Sequence, residues 1–149
     1  MDFTVKKYIE LLDALIEQGY NFQTFDEFIK APQDKSIVLR HDVDLLPYNS
    51  LAFAKIQNER NIKGVYYFRA VPESWDENVI KQIASLGHEI GYHYENLTTC
   101  NGDLEKGIID FKNKVQKPLK EIISSNNCKK LNFLEIKKIL NLKKIYESY

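Results

Sequence analysis

Only two cysteines, Cys100 and Cys128, occur in the 149 residues, and neither has a partner at metal-binding or redox spacing. That argues against a disulfide scaffold and against zinc-finger or thioredoxin-type motifs; isolated thiols of this kind read as reduced, cytosolic side chains. Long apolar runs are missing too, so no stretch approaches the roughly 20 residues that span a bilayer. The N-terminal MDFTVKKYIELLDALIEQGY carries acids throughout, unlike a signal or transit peptide. The expected location is the cytoplasm. Net charge is absent as well: 21 basic and 21 acidic residues cancel. Nothing therefore draws the chain as a whole toward nucleic acid or an anionic membrane, and neither is an expected partner. Histidine is rare, with His41, His88 and His93 and none beyond.

What is present suits one soluble domain. Apolar residues make up 44% and charged residues 28%, enough of the first for a real core and too few of the second for a disordered chain. The zero net charge conceals an asymmetry. Residues 117–149 hold 8 Lys against 3 Glu, a net of +5 that the preceding residues balance. Without arginines or stacking aromatics beside it, this reads as a solvated basic helix rather than a nucleic-acid arm.

Apolar spacing predicts the elements. Tyr8, Leu11, Leu12, Leu15 and Ile16 recur at helical intervals, and Gly19 marks a stop. Thr24 and Glu27 form a capping box for a short helix with Phe25, Phe28 and Ile29, and Pro32 lies beyond it. A strand is expected over 36–40, then a helix capped by Ser50 and running to about Arg60. VYYFR after Gly64 reads as a second strand, Ser74 with Glu77 as a second capping box, and Gly87 as that helix's end. HEIGYH is a third strand, and DLEKGIIDFKNKV a helix that stops before Pro118. In the tail, SSNNCKK reads as a loop and FLEIKKILNLKKIY as a lysine-rich amphipathic helix.

Strands alternating with helices signal parallel β/α units, where ligands gather at the carboxyl ends of strands. The first strand closes on Arg40, His41, Asp42, Val43 and Asp44; the third closes on His93. Strand alternation puts Arg40, Asp42 and Asp44 on one face, His41 and Val43 on the other, and Glu89, Gly91 and His93 together. Carboxylate and imidazole donors suit zinc or a similar divalent metal. Two aspartates so close permit one to hold the metal and the other to take a proton from water. Gly91 leaves space for substrate or metal, or else serves close packing.

RHDVD followed two β/α units later by LGHEIGYHYENL resembles the polysaccharide deacetylase family (the NodB-homology, carbohydrate esterase family 4 group), in its RHDVD variant. The resemblance extends over residues 3–116. It implies a partial (β/α) barrel over 1–116, with 117–149 as a divergent helical tail. It implies metal-dependent removal of N-acetyl groups from an amino sugar or polysaccharide, with zinc as the expected metal. By residue, it makes Asp42 the catalytic base and Asp44 and His93 metal ligands. Independently of the resemblance, Arg40 shares Asp42's face and is expected to neutralise it, while His41, on the other face, is expected to support the site or to pack. The family's second histidine falls at Leu97, which binds no cation, so Glu95 is the substitute ligand available. The later motifs, including the general acid, are not found. The tail is therefore expected to be a replaced or out-of-frame C-terminus, and activity to be weak or lost.

Two further readings stand beside this one. A non-catalytic remnant with open sheet edges would self-associate as a homo-oligomer or binding module. A phosphatase-like hydrolase would use Asp42 and Asp44 as its Asp-x-Asp pair, but Arg40 and His41 interrupt the expected approach to the first aspartate, and His93 has no role in it.

Overall fold

The computed structural model describes residues 4–124; the predicted loop and lysine-rich helix of the tail lie outside them. The architecture is mixed α/β with two small parallel sheets. Helix α1 (Val5–Glu17) is capped by Thr4, whose hydroxyl accepts from the Lys7 amide, and Gly19 follows it with a φ of +75°. Strand β1 (Asn21–Phe22) leads to α2 (Phe25–Lys30), where the Thr24–Glu27 capping box is formed in both directions. β1 pairs in parallel with β2 (Ser36–Ile37). Then come β3 (Arg40–Val43), α3 (Pro47–Asn58), β4 (Val65–Phe68), α4 (Glu77–Ser85) and β5 (Glu89–Tyr92). Helices α5 (Asn96–Thr99), α6 (Leu104–Phe111) and α7 (Lys117–Ser124) complete the described chain.

The strand expected over 36–40 is thus divided. Its first half pairs with β1, while Arg40 to Val43 join the second sheet, ordered β3-β4-β5 with all strands parallel. Among the described residues that sheet does not close into a barrel. β4, the central strand, is buried along its whole length, as a parallel strand covered on both faces should be.

Three expected boundaries move, each for a local reason. Helix α3 starts at Pro47, whose fixed φ suits the first helical turn, so Ser50 lies inside the helix and caps nothing. Asp76 caps α4, accepting from the amides of Asn78 and Val79 at 2.9 and 3.0 Å. Ser74 does other work: its hydroxyl accepts from the Arg69 amide and donates to the Val43 carbonyl, tying the ends of β3 and β4 together. Pro118 does not stop the helix. A π turn over Lys112–Gln116 widens the ladder just where the proline ring would strike the carbonyl four residues back.

The main core lies on the sheet face that carries Val43, Tyr66, Phe68 and Ile90. Leu51 and Ala54 of α3, Val79, Ile80 and Ile83 of α4, and Phe111 of α6 pack onto it. Leu119 and Ile122 of α7 belong to the same cluster, so the core continues past Gln116. A smaller cluster of Tyr8, Leu12 and Ile62 seats α1. The opposite sheet face, bearing Arg40, Asp42, Tyr67 and Gly91, is left with less cover.

Candidate functional site

The three-stranded register sets the site out in rows. Asp42 is level with Tyr67 and Gly91. One alternation further, just past the strands, come Asp44, Arg69 and His93. Between β4 and β5 the ladder reaches this row, because the His93 amide donates to the Phe68 carbonyl at 2.9 Å.

In the lower row, Arg40 Nε lies 2.8 Å from Asp42 Oδ1, with the two side chains 54% and 40% exposed. The Arg40 guanidinium also sits 4.5 Å from the centre of the Tyr67 ring. Arg40 is therefore placed as the partner of Asp42 that the sequence suggests. At this exposure the pair contributes only about 0–1 kcal/mol of stability, so its consequence is orientation. Gly91 does not leave room for substrate. A Cβ there would fall 2.5 Å from Cδ1 and Cε1 of Tyr67, so the glycine is a seat for that ring.

The upper row is the more enclosed of the two, with the Arg69 and Glu95 side chains 31% and 27% exposed. Arg69 Nε is 2.9 Å from both carboxylate oxygens of Glu95. Glu95 and, more weakly, Asp44 and Glu73 hold the guanidinium in its charged form. His93 Nδ1 is shielded from solvent and has no hydrogen-bond partner, with Glu95 Oε1 3.9 Å away. A buried polar atom left open in this way is uncommon and carries a desolvation cost. It is also what a ligand nitrogen looks like before it binds anything.

Other predicted residues stand apart from these rows. His41 points into the opposite face, stacked on Tyr66 with ring centres 4.4 Å apart. Its Nε2 accepts from Gln57 Nε2 at 2.6 Å, and burial pushes the imidazole down to about 4. Gln57 is fully buried and central: its Nε2 also donates to the Tyr8 hydroxyl, and its Oε1 accepts from Tyr66 at 2.9 Å. His88 joins loop to helix, Nδ1 accepting from Gly64 and Nε2 donating to the Ala54 carbonyl. Glu89 lies at the far end of β5, buried, with Oε2 accepting from the Asp26 amide in the first turn of α2. Sharing a face with His93 does not bring it to the same site.

Sequence reasoning passed over Gln57 and over the pairing of Arg69 with Glu95. The signal for Gln57 was its place at helical spacing from Leu51 and Ala54, the core side of α3. Arg69 offered none, because a basic residue ending a strand is equally at home in solvent.

The donor set fits a divalent cation in chemistry and only partly in arrangement. Asp44 and His93 supply one carboxylate and one open imidazole nitrogen, but both oxygens of Glu95 are engaged by Arg69. Among the described residues no three His, Cys, Asp or Glu side chains are gathered to hold one ion. Leu97, in α5, is 38% exposed and brings no donor. No protein-family model matches the chain, and neither a curated protein nor a solved structure matches it.

Proposed function

We propose that the carboxyl edge of β3–β5 is the amide-hydrolysing half-site of a polysaccharide-deacetylase-like protein, set on the first strands of a partial (β/α) barrel. The observation that carries this reading is the open, solvent-shielded Nδ1 of His93, one strand-end row above Asp42, with Asp44 just past the end of β3. In this scheme Asp44 and His93 hold a divalent cation, with zinc favoured by the donor types. Such a cation acidifies water and polarises the amide carbonyl. Asp42 accepts the proton of the attacking water, and Arg40 fixes the carboxylate that receives it. An N-acetylated sugar would give a free amine and acetate.

Turnover is expected to be slow. His41 and His88 are both committed to hydrogen bonds on the helix-covered side, which leaves no second imidazole to protonate the departing amine. Acetate release from N-acetylglucosamine oligomers tests the reading. Slow, metal-dependent release that Asp42→Asn abolishes is the expected result; release unaffected by Asp42→Asn contradicts it.

A second reading, self-association, is supported by the sheet order. Among the described residues β3 and β5 each have one neighbour in the three-stranded sheet, and parallel edges left unpaired invite pairing with another chain.

A further inference from the structure

We infer that the slot between α2 and the less covered face of the sheet is a binding site for a medium-chain alkyl carboxylate, one that needs no metal. Phe25, Phe28, Val38, Arg40, Val65 and Tyr67 line a cavity of about 350 Å3 there. An apolar cavity of about 150 Å3 takes benzene, so this one admits a ligand roughly twice that size. None of the six belongs to either core cluster of the described residues, so the space is not an extension of the core.

The elements set its shape. Phe25 and Phe28 lie one turn apart on α2, so both rings fall on one side of that helix. Val38 and Arg40 are two residues apart along one extended segment, Val65 and Tyr67 along its neighbour. From the level of Val38 to that of Tyr67, which pairs with Asp42, the slot runs about 13 Å along the strands. A linear chain suits such a slot better than a compact ring. It is also set before any ligand arrives. Buried Glu89 accepts from the Asp26 amide at 3.0 Å, and Lys63 Nζ lies 3.5 Å from Glu27 Oε1, fixing α2 against the sheet. A preformed site lowers the ordering cost of binding.

Arg40 decides the charge of the ligand. It is the one charged residue in the lining, and its guanidinium lies 4.5 Å from the Tyr67 ring centre, at the upper end of the slot. A carboxylate seated there shares the guanidinium with Asp42, 2.8 Å from Nε. Arginine carries five N–H donors and an exposed pair of this kind is weak, so the sharing costs little.

Calorimetric titration of the full chain with hexanoate, octanoate, decanoate and dodecanoate, in the presence of a chelator, tests the site. Affinity should rise about fourfold per methylene and level off once the slot is full. Decanoate should bind one to one. Arg40→Met, which keeps an apolar stem, should weaken decanoate about tenfold and leave decanol unchanged. Phe28→Ser should weaken both at least fivefold. Both side chains are largely exposed, and urea midpoints near that of wild type would show that the variants fold. Absence of saturable decanoate binding overturns the site. Equal decanoate affinity in Arg40→Met overturns the carboxylate, and binding untouched by Phe28→Ser puts the chain elsewhere, against the inference. Affinity that climbs with length without levelling is adsorption and also overturns it. No decanoate binding, with dimers in light scattering that Phe28→Ser dissolves, would assign the slot to a second copy instead.

Discussion

A methyl group at position 91 would lie 2.5 Å from two carbons of the Tyr67 ring, a rigid neighbour that has little freedom to yield. Gly91→Ala should therefore destabilise the protein by about 1–3 kcal/mol in urea unfolding, as overpacking does, and Tyr67→Leu should recover most of the loss. His41 makes a second prediction at the same scale. Its folded imidazole titrates at about 4, below the ordinary 6.5, because of burial and then the charge of His88. A depressed histidine means the unfolded chain takes up a proton first, so stability falls as pH drops from about 6.5 to about 4. The shift sets an upper bound of about 3 kcal/mol on that loss. His41→Asn should flatten this part of the stability–pH profile. An unchanged slope would place the proton uptake elsewhere.

At the scale of elements, the sequence was most readable where one residue acts alone. Thr24 and Glu27 form the capping box their spacing announces, and Gly19 and Gly87 end their helices at φ of +75° and +88°. It was least readable where two signals compete for one boundary. Pro47 overrides Ser50, and Asp76 overrides Ser74, because tertiary contact gives each serine a different job or none. Asp76→Ala should cost about 1 kcal/mol, measured by thermal or urea unfolding, whereas Ser50→Ala should cost little on capping grounds. That the chain would stay helical past Pro118 lay beyond any spacing rule, because the π turn accommodates the ring and α7 packs back onto α4. Leu119, 3% exposed in the main core, gives that packing a number: Leu119→Ala should cost about 2–5 kcal/mol. A negligible loss would show α7 to be dispensable to the core.

For the whole molecule, the charged end of β3 divides between two faces. Arg40 and Asp42 pair on one side, and His41 turns to Gln57 on the other. Strand alternation made this division legible from the sequence alone. The Arg69–Glu95 pair was not legible, because it joins the ends of two different strands whose relative height only the sheet register sets. The sheet edges left unpaired among the described residues predict concentration-dependent association in light scattering; a monodisperse monomer at high concentration would contradict it. The account turns on whether Asp44 and His93 together hold a cation. Equilibrium dialysis against zinc, followed by elemental analysis of wild type, Asp44→Ala and His93→Ala, measures this directly. A single bound zinc per chain in wild type, lost in both variants, is the predicted result. Zinc retained in either variant, or none in wild type, contradicts the account.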